Sequence, residues 1–597
     1  MKNLVTLDCE VYPNYTLFAF KNIDNKKVIN IELKGEHSYL SKDQLLKIKT
    51  IMTKRVTFGF NSNNFDIPII LYALKQKSCF DIFKLSSFII KENTIAWQTM
   101  NKFELVMPKA FKHFDIKEVA KGVMISLKLY GGRLHSKKLQ DLPIEPESYL
   151  TDDEILETKT YCENDLDTNI DLYNTIAKEI QLRHDMSKKY EADLLSKSDA
   201  QIAETVIKSE LQKLTRTKLQ RPTLSPDTTF KYEKPSFISF KTKTLNDVLD
   251  IILNTNFELD KKGSIKLPDI LKKTKIPIGN SVYKLGIGGL HSTEKAKTII
   301  PTKNQLLIDK DVASYYPSII LNLAIFPRHL GKSFLDIYKN IVDERLEAKK
   351  KGFKVINESL KIVINGSFGK LGSKWSILYS PDLMLKVTLA GQLALLMLIE
   401  ELEIIGVNVV SANTDGFVSL LDKTQHDEYE RICNNWQKKT KFILEDNFYK
   451  ALYSRDVNNY LAITDKGYKG RGIFTLNSIE KNPQGDICII AVIEFITNNT
   501  PLIETITNCT DVRKFLFLRK VTGGAIWRGE YLGKVVRFVY TIDGDKITYK
   551  KNDNKVAKSD GSEPVMTLGD LPYNIDYDRY IEEAKSILDD IGFNDAV

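Results

Sequence analysis

The chain has 597 residues, 43% of them hydrophobic and 10% aromatic, with 86 Lys and Arg against 77 Asp and Glu for a formal charge of +9. That length provides for roughly three to five domains with cores of their own, the composition excludes wholesale disorder, and the charge leans toward a polyanionic partner. Six cysteines (Cys9, Cys79, Cys162, Cys433, Cys488 and Cys509) form no C-x-x-C pair, which disfavours a zinc site or a disulfide framework and fits a reducing compartment.

The opening M-K-N-L-V-T-L-D-C-E reads as a short strand broken by acids, not a signal peptide. The longest apolar run, Val387 to Ile405, is interrupted by Gln392, Glu400 and Glu401 and reads as a buried helix rather than a membrane span. The expectation is a cytoplasmic protein with no membrane partner.

Residues 1–185 read as one α/β unit. A strand over Leu4–Leu7 leads to Asp8 and Glu10, whose spacing puts both carboxylates on one face. Asp66 follows in G-F-N-S-N-N-F-D-I-P, and Y-C-E-N-D puts Tyr161 and Asp165 on one helix face. Each piece alone arises by chance. Together, four carboxylates and a tyrosine suit a two-metal hydrolysis site, with Asn61 and Phe65 able to hold and stack a single-stranded 3′ end. Between them, residues 115–135 show helix-like periodicity with Lys117, Lys121, Lys128 and Arg133. These make a solvated basic face, or, at Lys128, a phosphate contact.

Residues 186–285 carry Lys188, Lys189, Lys208, Lys213, Arg216, Lys218 and Arg221; these are plain surface or track a nucleic-acid backbone. K-L-G-I-G-G-L-H-S (284–292) lacks the strand-to-helix context of a dinucleotide loop. It is a tight hairpin or a loop pressed against DNA.

In Q-L-L-I-D-K-D-V-A-S-Y-Y-P-S-I-I (305–320) a strand ends on Asp309 and Asp311, and Pro317 marks a helix start. Such a strand end can hold a metal and a phosphate chain, or simply expose two acids. Downstream, Arg345 and Lys349 are i and i+4 on a helix, and Lys361, Asn365 and Gly369 repeat at fours on the next. Gly366 and Gly369 cost about 1 kcal/mol each in a helix, which makes sense if a flat group lies against it. Residues 407–421 form two strands with Asp415 at the turn; a type I′ hairpin explains them, and Asp415 there can also face Asp311.

This constellation resembles a family B DNA polymerase of the compact bacteriophage type. D-V-A-S-Y-Y-P-S-I-I resembles the first palm motif, K-I-V-I-N-G-S-F-G the fingers motif and A-N-T-D-G the second palm motif. Asp8/Glu10, Asp66 and Tyr161/Asp165 resemble the three exonuclease motifs, and G-I-G-G-L-H-S the glycine loop between exonuclease and polymerase. The order is right, and the match runs from residue 4 to about 475.

The resemblance implies a multidomain α/β and α+β chain: an RNase H-like 3′–5′ exonuclease domain plus a right-hand polymerase of palm, short fingers and thumb. The expected domains are 1–185 exonuclease, 186–300 a connecting region, 301–325 and 373–475 palm, 326–372 fingers and 476–597 thumb. It implies two Mg²⁺ (or Mn²⁺) ions per active site, held by Asp311, Asp415 and the carbonyl of Val312 in the polymerase. In the exonuclease the ligands are Asp8, Glu10, Asp66 and Asp165, with Tyr161 on the water. Lys361, Arg345 and Lys349 would neutralise the triphosphate of a dNTP, Tyr316 would act as a steric gate against the ribose 2′-hydroxyl, and Asn365 would border the nascent base pair. The expected function is a replicative, phage-encoded, template-directed DNA polymerase with proofreading. Its expected partners are primer–template DNA, a single-stranded 3′ end, a helicase and a single-strand binding protein, with the chain itself a monomer. The alternative is an exonuclease with a degenerate polymerase half.

Asn413 stands where most relatives have aspartate, and Gly366 and Phe368 replace serine and tyrosine of the fingers motif. The short spacing from Asp311 to Lys361 leaves no room for the insertions of protein-primed polymerases, so extension of ordinary primers without strong strand displacement is expected. The start at Asp8 likewise leaves no room for the N-terminal domain that many relatives carry. In the lysine-tyrosine duplex motif Tyr460 fits and the lysine is missing, while K-G-Y-K-G-R-G (466–472) supplies basic residues. Asp576 to Ile591 reads as a closing amphipathic helix, and I-L-D-D-I-G-F is core helix or a sliding-clamp peptide.

Overall fold

Leu4–Tyr12 forms strand β1, buried along most of its length because sheet and helices cover both faces. It runs antiparallel to β2 (Tyr15–Asn22), which pairs with β3 (Val28–Lys34). On its other side it runs parallel to β4 (Val56–Gly59), itself parallel to β5 (His113–Asp115). The order β3-β2-β1-β4-β5 is that of the RNase H-like layer. Helix α1 (Asp66–Ala73) follows β4, and α2 (Asp152–Thr175) starts on a capping box in which Thr151 and Glu154 satisfy each other's backbone amides. Among the described residues of the basic stretch 115–135, helix is present only over Leu127–Arg133. In the computed structural model, residues 3–593 are described except 121, 123, 124, 477 and 478. Lys121 lies outside the described residues.

The chain divides into two compact units: residues 1–189, 193–198 and 477–584 in one, residues 190–192, 199–476 and 585–597 in the other. In the second, α3 (Asp199–Thr215) precedes β6 (Ile276–Ile278), β7 (Ser281–Lys284), β8 (His291–Ser292) and β9 (Gln305–Val312). Next come α4 (Tyr315–Asn322), α5 (Ser333–Lys350), α6 (Lys354–Leu371) and α7 (Pro381–Ile404). They are followed by β10 (Asn408–Asn413), β11 (Gly416–Asp422) and β12 (Leu444–Tyr449). The strands form one seven-stranded sheet in the order β12-β9-β11-β10-β8-β7-β6. A separate sheet carries β13 (Ala451–Asp456), β14 (Asn459–Thr464) and β15 (Gly467–Arg471).

Within β9 the charges alternate. Asp309 and Asp311 share one face, while Lys310, only 2% exposed, points the other way. Its ammonium pairs with Glu430 at 2.9 Å and Asp446 at 2.8 Å.

Helix α7 is long and apolar enough to cross a membrane, yet 83% of its most apolar window is buried in the protein. Its polar interruptions make specific bonds. Glu400 accepts the backbone amides of Lys241 and Thr242 at 2.9 and 2.7 Å, and Gln392 serves the glycine loop described below.

Residues 479–584, read from the sequence as part of a thumb, pack in the first unit. Their long hairpin joins β16 (Phe517–Trp527) to β17 (Glu530–Asp545). From β17, the fully buried Arg537 donates to the carbonyls of Ser136, Lys137 and Met566 at 2.7 to 3.0 Å and also to Val565. Burial pushes its guanidinium down to about 10, and the carbonyls are what keep so expensive a charge in place. The expected closing helix is present as α8 (Tyr577–Asp590), with Tyr580 and Ala584 buried.

Candidate active sites

In the first unit, Asp8 and Glu10 leave β1 on one face and meet α2. Ligand atoms of Asp8, Glu10 and Cys162 lie within 4.8 Å of one another, and the Cys162 thiol is 3.6 Å from Asp8 Oδ2. Burial, then the charges of Asp66, Glu10 and Asp165, hold the Asp8 carboxyl well above the usual range. Glu10 is raised by burial and Asp165, against the pull of Lys128. Burial pushes Asp66 up to about 7 and Asp165 to about 6, with Lys128 and a hydrogen bond from Tyr161 holding Asp165 down. Thus Asp8, Glu10, Asp66, Tyr161 and Asp165 are brought together.

Asp66 stands at the first position of α1, 3% exposed, and its Oδ1 is buried with no hydrogen-bond partner among the described residues. Four clustered carboxylates, one with an orphaned oxygen, are a donor set that fits hard divalent cations. Cys162, overlooked in the sequence reading, adds a soft donor.

Asp115, also overlooked, shapes the turn before Asp66. Its carboxylate accepts the amides of Asn61, Asn63 and Lys117 at 2.9, 3.0 and 2.9 Å. That fixes Asn61 at φ 59°, and the Lys117 ammonium reaches Asn61 Oδ1 at 2.9 Å. Lys128 is bound to Asp141 at 2.9 Å and lies 4.8 Å over the Tyr161 ring. It therefore faces the acidic cluster instead of making a solvated face.

In the second unit, β9 and β11 pair so that Asp311 faces Gly416, and the Val312 amide donates to the Asp415 carbonyl at 2.7 Å. Asp309, Asp311, Asn413 and Asp415 line one cavity of about 590 Å³, together with Glu445, Lys469 and Arg471. Burial, then the Asp309 charge, pushes Asp311 up to about 6; Asp415 is raised by burial, with Arg471 opposing. These two carboxylates in one cavity also suit divalent cations. Asp309, read from the sequence as a bare strand end, is buried and accepts from the Tyr449 hydroxyl and, at 3.0 Å, from Lys469. Lys469 comes from β15, on the strand beside Tyr460. A cation therefore does stand at this site, supplied by the neighbouring strand.

The turn at Asp415 departs from the expected type I′ geometry. Gly416 is not among the positive-φ residues, whereas Thr414 has φ 27°. The glycine is needed for space, since a Cβ there would strike Asp311. The glycine loop sits on this turn: the Leu290 carbonyl accepts the Thr414 amide at 2.8 Å, and the Gln392 side chain bonds both the amide and the carbonyl of Gly286 at 2.9 and 2.8 Å.

Tyr316 on α4 bonds the Gly288 carbonyl and stacks on Phe368 of α6 at 4.2 Å. Arg345 on α5 donates to Ser314 at 2.8 Å, while its Nε is buried without a partner among the described residues. Lys349 pairs with Glu445 at 3.2 Å, both exposed. Lys361 and Asn365 are exposed on one face of α6, Lys361 in no ion pair among the described residues. Gly369 on that face is open, but a Cβ at Gly366 would lie 2.7 Å from the Asp199 carbonyl. Gly366 thus serves the packing of α3 on α6, which corrects the expectation that both glycines admit a flat group.

No protein-family model matches the chain. One stretch of 145 residues is 31% identical to DNA polymerase II of Escherichia coli (strain K12), covering 20% of this chain and 18% of the length of that relative. Among solved structures, the family B DNA polymerase of the hyperthermophilic archaeon Pyrobaculum calidifontis is similar over 100% of this chain and 78% of its own, at 12% identity and a TM-score of 0.41. The chain resembles family B DNA polymerases, as its motifs do.

Proposed function

We propose that this chain is a template-directed DNA polymerase that adds dNTPs to a primer 3′ end and carries a 3′–5′ proofreading exonuclease. The observation that carries the reading is the convergence of Asp311 and Asp415 on one cavity, whose lining residue Ser314 accepts from Arg345 and stands two residues before Tyr316. Asp311, Asp415 and the Val312 carbonyl would hold two divalent metal ions, Mg²⁺ or Mn²⁺. Asp8, Glu10, Asp66 and Asp165 would hold those of the exonuclease. Such ions, when bound, supply Lewis-acid stabilisation of the phosphate and an activated oxygen nucleophile.

The chain's own residues supply position and charge. The guanidinium of Arg345, whose Nε has no partner among the described residues, and the exposed ammonium of Lys361, in no ion pair among them, would offer cations to a triphosphate. Tyr316, pinned between Phe368 and the Gly288 carbonyl, has no freedom to swing away from a sugar. Asn365 would border the base pair, with Lys349 a peripheral cation. In the exonuclease, the Tyr161 hydroxyl would orient the attacking water, while Asn61 and Phe65 hold the frayed 3′ end. Primer–template DNA is the partner; a bacteriophage origin, a monomeric state, cytoplasmic location and replisome helicase and single-strand binding protein belong to the same reading.

The test is primer extension on a labelled primer–template. Asp311→Ala should abolish extension and keep 3′ trimming, and Asp8→Ala should do the reverse. Extension by Asp311→Ala would sink the proposal. The degenerate-polymerase alternative predicts no extension by the unmodified chain; with Gly366 explained by packing, it rests on Asn413 alone.

A further inference from the structure

The segment 186–285 supplies none of the clustered carboxylates, yet it borders an unusual surface. Trp375 lies in the loop after α6 and is 69% exposed. The Arg221 guanidinium lies 5.1 Å from its ring centre and the Lys374 ammonium 5.3 Å. All three line a cavity of about 520 Å³ with Lys261 and Tyr379, within the range of ligand clefts, about 300–1,000 Å³.

The surface is built, not incidental. A turn within the hairpin Asn256–Leu259 and Ile265–Lys266 braces the Trp375 loop. The Tyr379 hydroxyl donates to the Gly263 carbonyl at 2.6 Å, and Lys374 lies against Gly263, whose φ is +80°. The one acid in the lining, Asp260, holds that turn, its Oδ1 accepting the amides of Lys262 and Ser264 at 2.8 and 2.9 Å, and its single charge is outnumbered by the three cations. Arg221, Lys261 and Lys374 are in no ion pair among the described residues; the Lys374 ammonium donates to the Lys261 carbonyl at 3.5 Å. Arg216 and Lys218, just before Arg221 in sequence, are also exposed. An exposed indole flanked by cations outside any ion pair among the described residues has the two elements that single-stranded nucleic acid needs: a flat face for a base and positive charge for its phosphates.

We propose that Trp375, Arg221 and Lys374 form a single-stranded DNA site that takes an unpaired template nucleotide, its base on the indole and its phosphates on the cations. The proposal rests on the polymerase reading for the word template. The binding itself does not depend on catalysis.

The test measures binding of a short labelled oligothymidylate to the full-length protein by fluorescence anisotropy, in EDTA, without nucleotide, over a series of salt concentrations. Trp375→Ala should weaken binding about 5- to 100-fold, and Trp375→Phe, which keeps an aromatic face, only a few-fold. Arg221→Ala and Lys374→Ala should each lower the slope of log affinity against log salt by about 0.7. Quenching of tryptophan emission by the oligonucleotide should fall in Trp375→Phe. Failure of the unmodified protein to bind, unchanged affinity in a folded Trp375→Ala, or an equal loss for blunt duplex DNA would each overturn the proposal. Because metal and nucleotide are absent, a failed primer-extension test leaves this result standing, and the converse.

Discussion

The carboxylate of Asp311 lies over Gly416, so closely that a Cβ on the glycine would come within 2.1 Å of Asp311 Oδ1. Gly416→Ala must therefore displace the carboxylate or part the strands. A misplacement of about 1 Å at a reacting centre costs on the order of 100-fold, so primer extension should fall at least that far while 3′ trimming continues. Extension at the unmodified rate would show that Asp311 has no fixed position to lose.

Gln392 reaches from α7 to bond both backbone groups of Gly286. Gln392→Leu preserves the bulk and removes both partners, which should destabilise the protein by about 1–3 kcal/mol. The urea midpoint should drop without a change in slope. The nucleotide KM should rise too, because the same loop carries the Gly288 carbonyl that holds Tyr316. A lower midpoint with an unchanged KM would separate the loop from the nucleotide.

Asp115→Ala leaves three backbone amides around Asn61 without their acceptor. Supports one step removed from a metal site are worth about 10- to 100-fold. Exonuclease rate on a labelled single strand should fall by that factor, with extension unaffected. Full trimming activity would mean that the turn keeps its shape unaided.

Asp66 is pushed up to about 7 and Asp165 to about 6, from ordinary values near 3.8. Between about pH 4 and pH 7 the metal-free native state holds protons that the unfolded chain has released, so its stability declines as pH rises through that window. In EDTA the melting temperature should fall from about pH 5 to about pH 8, less steeply in Asp66→Asn, and Mg²⁺ at the upper end should restore it. Identical slopes for Asp66→Asn and the unmodified protein would refute the assignment.

Much of both carboxylate sites was legible because strand and helix periods alone put Asp8 with Glu10, Tyr161 with Asp165, and Asp311 at a strand end. Partnerships across the fold were not. Asp115 stood in a stretch read as helix-like, and two of the three amides it accepts come from a turn distant in sequence, at Asn61 and Asn63. Lys469 pairs with Asp309 only because β15 lies beside β14, a register that no local pattern reveals. Gly366 and Gly369 look alike in sequence, yet one faces the backbone of α3 and the other open space. Nor does anything around Arg537 announce that it will be buried against the carbonyls of residues 136 and 137.

The alternation along β9 has a consequence for how the chain folds. A slip of one residue in this strand would thrust the Lys310 ammonium into the cavity that holds Asp311 and Asp415 and drive Asp309 and Asp311 toward Glu430 and Asp446. Ordinary slipped strands lose packing; this one would also bury like charges against each other, at a cost of several kcal/mol per ion. The lysine thus selects the register of the strand, and Lys310→Met should fold to a mixed population, seen as a broadened thermal transition, in which some molecules carry a misaligned strand.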